Sequence, residues 1–377
     1  MYSIIGGGIG GLTTALAFEK LGIDYQLYEK ANDLKPVGSG ILLPPNALQV
    51  FQWLGILDEL MKKGNSMKRI TLTDQNMSSL FDYQQDDIKE KFGFYSLSIH
   101  RWELQKILLH KLPESKIHLG KSLISFNQLE NNIDLLFADS TVVRTKFLIG
   151  ADGIHSNVRK HLFPKSQIRY SGQTCWRGIC TFSDTFEEYQ HRGIEMWGVN
   201  GRFGITKIEE NRFYWFAVVN SPQNLKDELG EVKRKLSKVF NRFHPMVKHL
   251  INETSEKNII KGDLSDLKPM SRWYKENVCL LGDAAHATTP NMGQGGAQAI
   301  EDAYFLAKII KMQKNVNAFK VFQEKRMKKV NLIVRRSRLM GIIGHWRYFT
   351  GIRNFVLKNT PRSILKEQWG IVYKLKS

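Results

Sequence analysis

Six residues near the start of the chain constrain its fold more than anything that follows. Gly6-Gly7-Gly8-Ile9-Gly10-Gly11 comes directly after the short apolar run at residues 1–5. That run reads as a buried strand. Residues 11–21 carry Leu12, Ala15, Leu16 and Leu21 at helical spacing, and Gly22 supplies a stop. Residues 25–28 read as a second strand, and a βαβ opening of this kind implies a parallel sheet with helices on its faces. Gly6, Gly8 and Gly11 take the three places of GxGxxG, with Gly10 in the same turn. The first glycine allows the tight turn, the second lets backbone approach a pyrophosphate, and the third lets helix pack on strand. The helix N-terminus adds donors and partial positive charge. Glu29, followed by Lys30, ends the second strand about 20 residues on, where an acid binds ribose hydroxyls. A glycine turn with no ligand is the bland alternative, and the matching strand, helix and acid weigh against it. The motif alone does not separate NAD from FAD.

The middle of the chain is built differently. Residues 174–182, 193–199, 203–208 and 213–219 are short, aromatic and β-branched. Val199-Asn200-Gly201 and Glu209-Glu210-Asn211 punctuate them, which predicts an antiparallel sheet. Helical patterning returns at 225–250 and dominates after Gln294. The expected fold class is therefore α/β, α+β overall: a Rossmann-like GxGxxG domain, a mostly antiparallel β-sheet substrate domain, and C-terminal helices. The expected division gives residues 1–70, 96–165 and 270–305 to the dinucleotide domain. Residues 71–95 and 166–269 go to the β-rich domain, and 306–377 form a basic helical segment. A length of 377 residues suffices for two domains.

Cys175, Cys180 and Cys279 match no metal-ligand spacing, so no metal is expected, and their odd number argues against a disulfide framework. A reducing cytoplasm is the simplest setting. A cleavable leader is not expected, because the first strand begins at residue 1. No run approaches the roughly 18 apolar residues of a membrane span.

Two later motifs decide the cofactor. Residues 147–159 run Phe-Leu-Ile-Gly-Ala-Asp-Gly-Ile-His-Ser-Asn-Val-Arg, an apolar strand ending in a turn at Asp152-Gly153. A longer version at 278–303 delivers Gly282-Asp283, a loop held by Pro290, and then Gly293-Gln294-Gly295-Gly296 opening a helix. Together with GxGxxG these segments resemble, in order, the motifs of the class A flavoprotein monooxygenases, the family of p-hydroxybenzoate and salicylate hydroxylases. The Gly295-Gly296-Ala297-Gln298 form looks closest to urate hydroxylases, zeaxanthin epoxidases and tetracycline-inactivating relatives. Gly38-Ser39-Gly40-Ile41, Pro45-Asn46-Ala47 and His100-Arg101-Trp102-Glu103-Leu104 resemble family segments that line the flavin.

The resemblance implies FAD as cofactor, NADH or NADPH as reductant, O2 as co-substrate, and a small aromatic or polycyclic substrate. In the family the flavin forms a C4a-hydroperoxide. Hydroxylation, epoxidation and oxygen insertion beside a carbonyl share it. The site must exclude water, because the wet intermediate decays to hydrogen peroxide. Glu29 would hold the adenosine ribose, Leu123 the adenine, Asp152 the pyrophosphate, Asp283 the ribityl chain, and Arg101 would lie against the FAD. Arg159 would serve NAD(P)H. The helix opening near Gly293 would aim its N-terminus at the pyrimidine edge, where it favours negative charge. Pro290 to Gly295 would shape the substrate cavity. Arg202 and Tyr214 would contact substrate, with Arg177 a further candidate. The bland readings make Asp152 a helix cap, Arg202 a turn residue and the aromatics core. His286 is expected to be structural.

The formal charge of +19 sits mostly at the end of the chain, where residues 308–377 carry 18 Lys/Arg against Glu324 and Glu367. Apolar and aromatic residues follow Arg335-Arg336-Ser337-Arg338. The preferred expectation is a helix packed on the dinucleotide domain with its charge solvated. Peripheral contact with the inner face of an anionic membrane is the alternative. No nucleic-acid reader motif accompanies the charge, and no feature specifies an oligomeric state. Competing functions are a flavin reductase on the same scaffold and a non-catalytic flavin- or lipid-binding protein. A halogenase is disfavoured, since its Trp-x-Trp-x-Ile-Pro segment is absent.

Overall fold

The apolar runs at the start of the chain form the strands Tyr2–Ile5 and Tyr25–Tyr28, which pair in parallel across the helix Ile9–Leu21. The computed structural model describes residues 1–34, 39–181, 187–199, 201–209, 211–228, 230–313, 317–346 and 348–375. Gly38, Phe182, Asn200 and Glu210, each part of a segment singled out above, lie outside them.

Six strands make the first sheet, in the order Tyr274–Lys275, Val278–Leu280, Phe147–Gly150, Tyr2–Ile5, Tyr25–Tyr28 and Ile117–His118. All pairs are parallel except the edge pair at Tyr274. Val278–Leu280, Phe147–Gly150 and Tyr2–Ile5 are buried throughout, as strands covered on both faces must be. These three are neighbours, so the turns at Gly6, Asp152 and Asp283 leave the same edge of the sheet side by side. Ligands of open α/β sheets bind at such an edge.

The second sheet has seven strands, in the order Ile260–Leu267, Ile168–Thr181, Arg212–Asn220, Arg202–Glu209, Arg192–Trp197, Arg69–Asp74 and Ser79–Gln84. It is antiparallel except between Arg192–Trp197 and Arg69–Asp74. Its outer face carries a separate core, in which Phe203 stacks on Trp215 at 5.5 Å beneath Phe240, Val247 and Leu250. The single helical stretch expected at 225–250 is instead two helices, Val232–Val239 and Pro245–Glu253. Pro245 cannot continue a helix from the preceding turn, but it opens a new one, and His244 Nδ1 accepts the Met246 amide as its cap.

The helix Gly295–Gln313 is followed by Asn317–Gly344. The latter buries Phe319, Phe322, Arg326, Val330, Ile333, Val334, Ser337 and Gly341, spaced by three or four residues along one face. Arg326 meets two fully buried acids there: its Nη1 donates to Glu301 and its Nε to Asp302 at 2.8 Å. Lys329 adds two bonds to Glu301, at 2.8 and 2.9 Å. His286 and the Gly282 amide share Asp302 Oδ2.

Burial alone would raise the Asp302 pKa, but His286 and Arg326 outweigh it and hold the carboxyl below its ordinary value. Its stabilising contribution is therefore whole above an unfolded-state value of about 4 and is lost as pH falls through the lower folded value. Removing Arg326 leaves two buried carboxylates short of their main partner. Arg326→Leu should cost about 3–5 kcal/mol in urea unfolding at neutral pH. The deficit should shrink in acid as Asp302 protonates.

Candidate active site

The first turn is set by steric exclusion. Gly6 adopts φ +110°, and a Cβ there would lie 2.5 Å from the Ala151 carbonyl oxygen. A Cβ on Gly11 would lie 1.9 Å from the Gly6 oxygen. Strand, turn and helix can close only with glycine at both places. Gly8 caps the helix Ile9–Leu21 with no side-chain bond, the first turn has no acid, and nothing stands within 4 Å of where a Gly8 Cβ would point. The turn therefore leaves room in front of Gly8 for a ligand group at the helix N-terminus. Gly10 packs the helix against Leu281 and Ala299. Glu29 borders the turn: Oε2 accepts the Gly7 amide at 2.6 Å and Oε1 the Ala31 amide at 2.9 Å, with exposed Lys30 beside it. This cradle fits the pyrophosphate and ribose of a dinucleotide such as FAD.

Asp283 and Arg101 stand further along the edge. Each is open to water, yet protein surrounds it on nearly every side, as befits a residue lining an internal cleft. Burial pushes the Asp283 pKa up, against the pull of His286 and Arg101. Burial lowers that of Arg101, against the pull of Asp283. Arg177 and Tyr214, neighbours on adjacent strands of the second sheet, lie in electrostatic reach of Arg101. Burial raises the Tyr214 phenol well above its usual range, although Arg177 pulls the other way. Tyr214 also packs flat on the chain at Gly40, where a Cβ would come within 2.6 Å of its ring.

Exposed Pro290 opens the turn Pro290–Met292, whose other two residues are half-buried. Gly293 and Gly296 approach Leu42 and Ile41, and Gly295 begins the next helix. No acid occupies that helix's first turn. The Gln294 side chain points inward, accepting from Asn46 at 3.2 Å and Gln298 at 2.9 Å. Two helix N-termini, two cationic side chains, a phenol and a carboxyl therefore line one cleft between the sheets.

Four expected residues are engaged by protein groups. Arg202 is 1% exposed, with Nη1 bonded to Glu195 at 3.1 Å and Nη2 to Asn291 Oδ1. Gly344 of the long helix packs on its Cδ. It joins the second sheet to the Pro290 turn, and its buried Nε finds no partner among the described residues. Arg159 is likewise buried, donating to Ile154 O and, at 3.1 Å, to Ala284 O. It joins two motif turns. The Leu123 side chain is core: the pairing with the next strand shifts register between Ser125 and Leu123, which turns Leu123 inward along with Phe126 three residues on. Asp152 caps the helix Asn157–Leu162 through the Asn157 and Val158 amides, at 2.8 and 3.2 Å.

Sequence reasoning placed Asn46 and Asn291 in quoted segments without giving either a role of its own, and it missed Glu195, Glu301 and Asp302. Glu301-Asp302 stood inside the quoted motif, and acids spaced for the buried face of an apolar helix were the available signal. Among the described residues no group of His, Cys, Asp and Glu could hold a metal, and the three cysteines are buried thiols. No described helix is long and apolar enough to cross a membrane.

The FAD binding domain family matches residues 2–336. The aurachin C monooxygenase/isomerase of Stigmatella aurantiaca is 33% identical over 91% of this chain and 89% of its own length. The 2-heptyl-3-hydroxy-4(1H)-quinolone synthase of Pseudomonas aeruginosa is 32% identical over 96% and 94%. Klebsiella pneumoniae HpxO, solved with FAD and uric acid, superposes with a TM-score of 0.90 at 26% identity, covering 99% of this chain and 96% of that one.

Gly11→Ala tests the cradle. It should yield protein that loses most of its 450 nm absorbance on gel filtration, with stability lowered by about 1–3 kcal/mol from overpacking. Full flavin retention would show that the turn tolerates the methyl group.

Proposed function

The chain belongs to the FAD-binding-domain family of class A flavin monooxygenases, and from that premise we propose that it uses NAD(P)H and O2 to hydroxylate a fused-ring nitrogen heterocycle of the 4-quinolone type. The balance is substrate C–H, O2, NAD(P)H and a proton giving C–OH, water and NAD(P)+. Bound FAD supplies the redox chemistry, taking reducing equivalents from NAD(P)H and passing one oxygen atom to the substrate.

The chain's own residues hold, orient and exclude. The turn at Gly6 to Gly11 takes the pyrophosphate on the amides of Ile9–Leu21, and Glu29 takes ribose hydroxyls. Asp283 and Arg101 bracket the chain leading to the ring. Gly40, Gly293, Gly295 and Gly296 would leave room for the ring, with Ile41 packed against Gly296. The N-terminus of Gly295–Gln313 favours negative charge beside it.

The observation that carries the substrate reading is the polar economy of the cleft. The Arg202 cation is engaged by Glu195 and Asn291, and Tyr214 stands against Gly40 with the Arg177 cation beside it. A phenol donor backed by a cation suits a polarised ring carbonyl oxygen. The quinolone and uric acid of the relatives' names are both fused-ring nitrogen heterocycles bearing carbonyls. Peripheral contact with an anionic membrane belongs to the same proposal, since the basic segment carries exposed apolar side chains as well as charge.

Purified, FAD-loaded protein should consume NAD(P)H and O2 faster with a 2-alkyl-4-quinolone than without it, yielding a product heavier by one oxygen. Reduction of the compound without O2 uptake would make the protein a reductase. Tyr214→Phe should lower kcat/KM about 10- to 100-fold, or about 1.4–2.7 kcal/mol. Because the phenol's pKa is raised, the Tyr214-dependent part of the rate should stay flat from neutral pH into the alkaline range. A rate falling with an ionisation that Tyr214→Phe abolishes would count against the assignment.

A further inference from the structure

The helix Thr350–Lys358 is inside out. Arg353 points into the protein, 4% exposed, with its guanidinium 5.4 Å from the Trp197 ring centre and Nη1 donating to the Gly344 carbonyl at 3.2 Å. Ile352 at 61% and Phe355 at 69%, with Val356, face outward, and Tyr348 at 79% and Phe349 precede them. A helix lying on a globular protein in water shows the reverse pattern. The end of Asn317–Gly344, which Arg353 touches, adds exposed Leu339 and Ile342, and Trp346 follows. Contiguous exposed apolar surface of this kind marks an interaction face.

The charge beside that face is of one sign. Between Glu324 and Glu367 the chain contains no acidic residue. Arg169, Lys268, Arg335 and Arg338 line a cavity of about 460 Å³ whose rim includes Leu339 and Ile342. Asp266, fully buried, pairs with Arg169 and Arg338. One carboxylate therefore serves four cations, and the cavity keeps a surplus of positive charge.

We propose that this surface docks on a bilayer containing anionic phospholipid. Tyr348, Phe349, Ile352, Phe355 and Val356 enter the boundary between headgroups and acyl chains, and a headgroup phosphate sits in the Arg169–Lys268–Arg335–Arg338 cavity. This rests on the reading that the basic segment meets a membrane, and it names the face that does so. Aromatic and aliphatic side chains flanked by cations are what such a boundary binds, and phosphate charge answers the surplus. A second copy of the chain suits the face less well, because a two-fold contact would set like-charged surfaces against each other.

The experiment is sedimentation of the full-length, FAD-loaded protein with phosphatidylcholine vesicles, with and without phosphatidylglycerol. Binding should require phosphatidylglycerol and weaken with salt. Ile352→Ser with Phe355→Ser should reduce binding roughly tenfold or more, and Arg335→Glu should do the same. Both variants should keep the wild-type melting temperature, flavin content and NAD(P)H oxidation in detergent-free buffer. Wild-type protein that ignores anionic vesicles would overturn the membrane reading itself. Binding that survives all the substitutions would leave that reading standing and overturn the face. A concentration-dependent dimer in analytical ultracentrifugation, dissolved by Phe355→Ser in protein that binds no vesicles, would assign the surface to self-association instead.

Discussion

Glu301 and Asp302 sit side by side in a helix, neither reached by water, and the geometry of the cleft depends on how their charge is met. A buried carboxylate is tolerated only when paired and hydrogen-bonded. Here the partners come from every part of the chain that shapes the site. Asp302 takes the Gly282 amide and His286, which fixes the turn that presents Asp283. Glu301 takes Asn46 at 2.6 Å, which fixes the helix Pro45–Leu54 behind Gly40 and Ile41. Arg326 and Lys329 bring in the basic segment. Such a pair is a poor source of net stability, since well-packed apolar groups do as well, but it admits few alternative arrangements. The N-terminus of Gly295–Gln313 is held between the two sheets by groups that tolerate no slippage.

The turn Pro290–Met292 is held from the other side. Asn291 Oδ1 receives Arg202 from the second sheet, and Asn291 Nδ2 donates to Thr289 Oγ1 at 3.0 Å and to the Ser337 carbonyl at 2.8 Å. One asparagine thus joins the substrate sheet, the glycine-rich loop and the long C-terminal helix. Arg202 can do this only because Glu195 balances its charge, and Glu195 is itself held by the Trp197 indole at 2.9 Å. Arg202 thereby belongs to the frame around the Pro290 turn.

What was legible in the sequence is local. GxGxxG with Glu29, the apolar strands before Asp152 and Asp283, and the aromatic strands at 203–208 and 213–219 each announce themselves within a few residues, because backbone sterics and strand periodicity act at that range. Their neighbours in the sheet were not readable that way, nor was the direction in which an arginine points. Arg159 and Arg202 look alike in sequence to Arg101, yet two are buried struts and one lines the cleft. The difference comes from Ala284 and Gly344, more than a hundred residues away in the chain. The break at Pro245 was local and readable, but the run of apolar residues on both sides obscured it.

The end of the chain is a wall of the site as much as an appendage. Met292 packs against a small core made of Tyr83, Ile333, Val372 and Tyr373. Gln49 donates to the Tyr373 carbonyl and Lys329 to that of Lys374, both at 3.1 Å. The same turn, which leads into Gly293–Gly296, therefore packs against the helix Arg362–Tyr373. The motif residues are all committed to the cradle, the struts or the buried charges, so they leave little room to vary the substrate. The surfaces free to change are the second sheet at Arg177 and Tyr214 and the helical segment over Met292. Charge that would otherwise be idle in that segment has two uses: Arg326 and Lys329 turn inward to hold the frame, while Arg335 and Arg338 turn outward beside an apolar face. A chain that closes its own active site with its most basic segment ties the shape of its cavity to whatever that segment touches.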